Sequence, residues 1–162
     1  MVRGAMGPNL LCLGHHYQQD SVSAFSDNRG DSYKLSAQAA ESRECEAIVF
    51  CGVHFMAETA DILANRPERL AERNGRRVPV VLPNVDAGCS LAAMASVGQV
   101  EDCWRQLGQV IDTDDVTPIT YVNSTAALKA FCGRHGGIVC TSANADKALR
   151  WAFEQRSRAL FF

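Results

Sequence analysis

No apolar run in this 162-residue chain approaches the roughly 18 residues that a membrane-crossing helix needs. The first residues, MVRGAMGPNL, lack the apolar core of a secretory signal, so a cytoplasmic protein is the expectation. Net charge is low as well: 16 Lys and Arg stand against 18 Asp and Glu, a balance of −2. That balance gives no electrostatic reason to expect nucleic acid or an anionic membrane as a partner. Seven cysteines are present, yet no two show the C-x-x-C spacing of a zinc knuckle or a redox motif, and their number is odd. A content of 47% hydrophobic and 21% charged residues is that of a soluble globular chain. The length allows one ordinary domain, or one domain plus part of another.

What the chain has is a recurring unit: a short apolar run, a polar loop, then a helical pattern. Asn9–Leu13 (NLLCL), Ala47–Cys51 (AIVFC), Val78–Leu82, Ile119–Val122, Gly136–Cys140 and Ala159–Phe162 read as strands. Helices are predicted over Gln19–Phe25, Tyr33–Glu44, Phe55–Ala64, Ser90–Ser96, Val100–Gln109, Ser124–Cys132 and Ser142–Phe153. Apolar strands without alternation, separated by helices, specify a parallel sheet covered on both faces, an α/β fold of the three-layer α/β/α type. Gly14 is expected to break the first strand, Asn28–Asp31 to form a turn, and Pro118 to precede a strand. Asn65–Arg77, with five arginines and the breakers Pro67 and Gly75, reads as a solvated surface excursion rather than an anion site. The acidic stretch Asp112, Asp114, Asp115 marks a boundary between a first domain, residues 1–110, and an incomplete second one, residues 111–162.

In a parallel sheet the ligand lies beyond the carboxyl ends of the strands. The residues expected there are His15, Tyr17, Ser32, His54, Cys89, Tyr121, Asn123, Ser124, Thr141 and Ser142. Ser32, Ser124 and Ser142 stand where helices are predicted to begin, and each alone is more commonly a plain N-cap than a ligand contact. Their repetition along one rim points to an anionic small molecule. Ser32 and Ser142 are expected to face one cleft, one from each domain. The most informative stretch is VVLPNVDAGCSLAAM, Val80–Met94: Pro83 ends a strand, Gly88 permits an unusual backbone angle, and Cys89 opens a predicted helix that Ser90 caps. A thiol at a helix N-terminus feels the positive end of the helix dipole, and thiolates ligate soft metals and iron–sulfur clusters. Cys12, Cys51, Cys132 and Cys140 sit in apolar runs as buried thiols, while Cys45 and Cys103 have charged neighbours and no evident role. A zinc site on Cys89 and His54 is a weaker alternative.

Six stretches resemble the quinolinate synthase family: LGHHYQ (Leu13–Gln18), RGDSYKL (Arg29–Leu35), IVFCGVHFMAETADIL (Ile48–Leu63), AGCSLAAMA (Ala87–Ala95), ITYVNSTAALKAFCGRHGGIVCTSANA (Ile119–Ala145) and WAF (Trp151–Phe153). They follow the family's order over nearly the whole chain. The resemblance implies an iron–sulfur transferase of NAD biosynthesis, condensing iminoaspartate with dihydroxyacetone phosphate to give quinolinate, phosphate and water. It implies three similar α/β/α domains around a central site, each supplying one cysteine to a [4Fe–4S] cluster whose unligated iron is a Lewis acid. By motif, Cys89 matches the first cluster ligand, and His15 and Tyr17 match substrate-binding and proton-handling positions. Ser32 and Ser142 match positions that hold phosphate or carboxylates, and Tyr121 and Asn123 match further contacts. Eliminating water and phosphate from a dianionic substrate does need anion cradles, a proton carrier and an electrophile.

Two departures stand out. Leu91 and Ala93 occupy positions where the family usually has methionine and aspartate. The family also continues past the point matching Phe162, through the rest of a second domain and a third that carry the other two cluster cysteines. Cys103, Cys132 and Cys140 do not stand in the contexts of those ligands. The chain is therefore expected to be roughly the first half of the enzyme, with the missing C-terminal part as its partner, and inactive alone. The alternative is a non-catalytic α/β remnant that binds a small anion or a partner chain.

Overall fold

The computed structural model describes residues 2–162, in two compact units that divide between Cys89 and Ser90. The first is built on a parallel sheet of β1 (Leu10–His15), β2 (Asn28–Gly30), β3 (Ala47–Cys51) and β4 (Val80–Val81), in the order β2-β1-β3-β4. A short helix α1 (Val2–Met6) precedes the sheet. Helix α2 (Asp20–Ser23) leads to β2, α3 (Ser32–Glu41) to β3, and α4 (His54–Ala64) with α5 (Pro67–Glu72) to β4. The first crossover runs from β1 to one side and the next runs back past it. With right-handed crossovers, α2 falls on one face and α3 and α4 on the other. Ser36, Ala39, Ala57, Ala60 and Ala64 are all buried, and such small side chains let α3 and α4 pack closely. Leu13, Leu35, Ile48 and Phe50 are wholly buried, each contributing about 1.5–3 kcal/mol.

Several local features depart from the sequence reading. Gly14 does not end β1 but continues it, because a Cβ there would lie 2.1 Å from Ser26 Oγ and only glycine leaves room. Asn28–Gly30 is a parallel edge strand rather than a turn, paired from Leu13↔Asn28 to His15↔Gly30. The third predicted strand shortens to two residues, since Val78 bonds to a side chain instead of a neighbouring strand. Its N–H donates to Asn65 Oδ1 at 2.8 Å and its carbonyl accepts from Asn65 Nδ2 at 2.9 Å. The arginine-rich excursion is not simply solvated: Arg69 is buried and, with Arg73, donates to Ser42 O at the end of α3 at 2.9 and 2.8 Å. Arg73 also donates to Ala64 O, the end of α4, at 3.0 Å. These cations satisfy helix-terminal carbonyls and complement the dipoles there.

The second unit contains α6 (Val97–Leu107), β5 (Val116–Tyr121), α7 (Ala126–Arg134), β6 (Ile138–Cys140), α8 (Ala145–Gln155) and β7 (Arg158–Phe161), with a parallel sheet in the order β6-β5-β7. Both faces of β5 are covered: Val100, Trp104, Val116, Leu128, Phe131 and Cys132 cluster on one, and Ile119, Cys140, Ala148 and Ala152 on the other. Trp104 meets Phe131 edge-on at 5.6 Å. The sequence reading set the domain boundary at 110/111, whereas α6 lies in the second unit because Val100 and Trp104 are part of its core. The acidic stretch is an anchor there: the Asp115 carboxylate accepts from Ser157 N at 3.1 Å, from the Ser157 hydroxyl and from Arg158.

Pro118 lies inside β5, where a proline would ordinarily cost a ladder hydrogen bond. Phe162 N–H donates to Ile119 O at 2.9 Å, so the backbone groups of Ile119 face β7 and those of Pro118 face β6. The β6 ladder begins only with Ile138 opposite Ile119, so no donor is missed at Pro118. No helix among the described residues is long and apolar enough to cross a membrane.

Candidate functional site

All strands of the first unit run parallel, so their carboxyl ends share one rim. Gly30 O, at the end of β2, accepts from His16 N at 3.1 Å and lies 3.0 Å from His16 Nδ1. This holds the GHHYQ loop against the Asp31–Ser32 corner. At the end of β3, His54 N–H donates to Ala87 O at 3.1 Å, which ties the AGCS loop to the first residue of α4. The rim therefore gathers His15, Ser32, His54 and the loop that carries Cys89.

His15, the last residue of β1, is buried, and its ring stacks on His16 at 4.4 Å and tilts against Tyr17 at 4.8 Å. Burial, with a smaller contribution from His16, pushes its pKa below the ordinary histidine value, and Asp31 offsets part of this. Tyr17 N–H donates to His15 Nδ1 at 3.3 Å, so the neutral ring carries its proton on Nε2. His15 is thus a neutral imidazole that can donate from Nε2 near pH 7. Tyr17 presents its phenol to solvent at 83% exposure.

Ser32 is the first residue of α3, but the cap is Asp31, whose carboxylate accepts from Lys34 N at 2.8 Å. Asp31 precedes the helix in extended conformation, the geometry a cap requires, which Ser32 inside the first turn does not have. The helix expected at Cys89 does not form. Ser90 makes no side-chain cap, and Leu91–Ala93 is a single 3-10 turn. The α-helix waits for Val97, where Ser96 and Gln99 form a capping box. A one-turn 3-10 segment lacks the aligned peptides of a macrodipole, so the dipole argument for Cys89 falls away. Cys89 is half-buried and in no disulfide.

In the second unit, Tyr121 ends β5 and its hydroxyl lies 2.5 Å from Ser142 Oγ, just beyond β6. Asn123 is half-buried in the loop between them and α7. Ser124 does not cap α7: its hydroxyl donates to Tyr121 O at 2.6 Å, and Thr125 makes the cap to Leu128 N at 3.3 Å. Ser142 does not open α8 either, which begins at Ala145. Thr141 donates its N–H and hydroxyl to Asn144 Oδ1 at 2.7 and 3.1 Å, closing a turn that keeps Ser142 outside the helix. Asp31 and Asn144 are residues sequence reasoning missed. Both are strong cap and turn formers beside a serine, a signal present in GDS and TSAN.

Burial raises the pKa values of Cys12, Cys51, Cys132 and Cys140, that of Cys132 to about 11, which makes them poor thiolates. Among the described residues, no group of three or more His, Cys, Asp and Glu is placed to hold a metal ion. His54 Nδ1 lies 3.8 Å from Glu58, its i+4 neighbour.

Each unit is an α/β layer structure on a parallel sheet, with hydroxyls, imidazoles or amides just past its strands' carboxyl ends, the place where such sheets hold ligands. The chain belongs to the Quinolinate synthetase A protein family (NadA), whose profile matches residues 4–162. It is 63% identical to the quinolinate synthase of Rhodopirellula baltica over 99% of this chain and 41% of that one. It is 51% identical to those of Corynebacterium glutamicum and Acidobacterium capsulatum, over 99% and 98% of this chain and 38% and 40% of theirs. The chain thus spans about two fifths of the length of these curated relatives.

Proposed function

We propose that this chain supplies the N-terminal portion of a quinolinate synthase, which condenses iminoaspartate with dihydroxyacetone phosphate once the rest of that enzyme is present. The observation that carries this reading is the rim of the first unit, where the His54–Ala87 bond ties the Cys89 loop to the start of α4, at the same strand ends that carry His15 and Ser32. In this reading, His15 donates Nε2–H to a carboxylate or carbonyl of the substrate, and its neutrality avoids a buried cation competing for protons. The Tyr17 phenol, open to solvent at the same loop, exchanges the protons that the two eliminations move. The Ser32 hydroxyl and the first N–H groups of α3 hold one anionic group. Within the second unit, the Tyr121–Ser142 hydroxyl pair and the Asn123 amide form a separate set of donors suited to charge-assisted hydrogen bonds with an anion.

A [4Fe–4S] cluster needs about three protein thiolates, and this chain offers one cysteine in a rim loop, Cys89, since Cys51 at the end of β3 has its pKa raised by burial. The residues present therefore fit a single ligand position and not a whole cluster, so the other ligands have to come from outside these residues. When bound, such a cluster would supply an electrophile to the eliminations.

The test is to co-express this chain with the portion of the Rhodopirellula baltica enzyme that follows the matched region, and reconstitute the pair anaerobically with iron and sulfide. Iron should bind and quinolinate should form, and Cys89→Ser should abolish both. Iron content and turnover indifferent to Cys89→Ser would overturn the assignment. Calorimetric binding of dihydroxyacetone phosphate without any quinolinate from the pair would favour a non-catalytic anion-binding protein.

A further inference from the structure

The two imidazoles that follow β1 hold their protons on opposite ring nitrogens. A backbone carbonyl can only accept, so the 3.0 Å contact of Gly30 O with His16 Nδ1 requires the neutral His16 ring to be protonated on Nδ1. A backbone N–H can only donate, so Tyr17 N–H at 3.3 Å leaves His15 Nδ1 bare and its proton on Nε2. His16 is exposed, so burial does not select its tautomer; the Gly30 carbonyl does.

His16 is tied to Gly30 twice. Its main-chain N–H also donates to Gly30 O, at 3.1 Å, so one carbonyl uses both lone pairs on a single residue. Gly30 is a firm anchor. It is the partner of His15 in the β1–β2 ladder, and Lys34 and Leu35 of α3 pack 3.6 Å from the place its Cβ would occupy. Gln18 N–H closes the turn by donating to His15 O at 2.9 Å. With the backbone held on both sides of Tyr17, its N–H is the donor delivered to His15 Nδ1. The His16 ring then stands between its neighbours. It stacks on His15 at 4.4 Å with 25° between the planes, and meets Tyr17 edge-on at 4.4 Å and 69°.

We propose that His16 is the positioning residue of this rim: hung from Gly30 by its ring and its backbone, it fixes His15 as an Nε2–H donor and sets Tyr17 beside it. Gly30 is followed by Asp31, the cap of α3, and by Ser32, so the same carbonyl ties the His15–Tyr17 loop to the helix start that carries the Ser32 hydroxyl. The use of the His15 donor on a substrate rests on the function proposed above; the tautomer and its lock do not.

The test is NMR on the full chain with nitrogen-labelled histidine at about pH 8.5, where imidazoles are neutral. Long-range proton–nitrogen correlations should place the His15 proton on Nε2 and the His16 proton on Nδ1, and this measurement needs no variant to fold. His16→Asn puts an amide donor where Nδ1 stood and keeps the bond to Gly30, whereas His16→Phe keeps the ring and loses the donor. Exchange of the Tyr17 amide should quicken about tenfold in His16→Phe and stay within about twofold of the natural chain in His16→Asn, as loss of one hydrogen bond predicts. His15 should populate both tautomers in His16→Phe and not in His16→Asn. A His16 proton on Nε2, a His15 proton on Nδ1, or Tyr17 exchange alike in all three chains would overturn the proposal. In the reconstituted pair described above, His16→Phe should lower kcat about tenfold with KM little changed, and His16→Asn should recover it. Unchanged kcat in His16→Phe would overturn the positioning role. A pair that makes no quinolinate, with the tautomers and the Tyr17 lock as described, would sink the function proposed above and support the role of His16.

Discussion

Replacing Asn65 by alanine tests what holds the segment entering β4, the strand that leads to the Cys89 loop. Asn65 sits at the end of α4, almost wholly buried, and its amide makes three bonds: to Val78 N at 2.8 Å, to Val78 O at 2.9 Å and to Asp61 Oδ1 at 2.8 Å. Alanine leaves both backbone groups of a buried valine without partners. An orphaned buried group costs about 1–3 kcal/mol, so two cost about 2–6 kcal/mol, with about 3 kcal/mol as the expectation. In a unit of this size that lowers Tm by roughly 10–25 °C. Urea unfolding followed by far-ultraviolet circular dichroism measures the loss, and exchange of the Val78 amide locates it. Both tryptophans, Trp104 and Trp151, lie in the second unit, so indole fluorescence should keep its midpoint. A loss below about 0.5 kcal/mol, or a Val78 amide still protected, would refute the reasoning. Asn65→Asp should do no better than alanine, because it keeps the acceptor, loses both donors and faces Asp61.

Other expectations follow from the same structure. Because burial lowers the His15 pKa, the unfolded chain takes up the proton first. The His15 contribution to stability is therefore complete above about pH 6.5 and falls as pH drops below it towards the folded value. The stability gap between the natural chain and His15→Gln should shrink from pH 7.5 to pH 5.5 in urea titrations, and a gap independent of pH would contradict the assignment. With Ellman's reagent at pH 7.5, exposed Cys103 should react in the native chain, and Cys132, buried with its pKa raised to about 11, only on unfolding. Equal labelling of both by mass spectrometry would show that the core is not packed as described. Gly137→Ala would set a Cβ 2.1 Å from Pro118 O, forcing backbone apart, and should destabilise the second unit by about 2–3 kcal/mol in fluorescence-monitored unfolding. A neutral Gly137→Ala would contradict the close approach.

The α/β architecture was legible because burial on both faces leaves parallel strands as unbroken apolar runs. AIVFC is β3 as read, and NLLCL lies within one residue of the start of β1. What escaped were features set by tertiary partners. Gly14 looked like a breaker because its open space is filled by Ser26, twelve residues on and unseen in local pattern. Asn65 looked like a linker residue, yet its amide stands in for a strand. Arg69 and Arg73 looked solvated, and only the folded chain shows the helix ends they satisfy. At the site, His15, Ser32, His54 and the loop of Cys89 lie at the strand ends where the apolar runs put them. The local chemistry of that rim was less legible: cap preference alone does not decide between adjacent Asp31 and Ser32, and the run SLAAMAS offers helix formers without a cap that engages.

The central proposal is that these residues supply the N-terminal part of a quinolinate synthase, with Cys89 as one cluster ligand among several. Its most direct measurement is iron content and quinolinate formation by this chain after anaerobic reconstitution, first alone and then with the portion of the Rhodopirellula baltica enzyme that follows the matched region. Alone, the chain should hold no stable cluster and form no quinolinate, and the added portion should bring both. Four irons per chain with turnover by the chain alone would contradict the claim, as would a pair that binds together, holds iron and still makes no quinolinate.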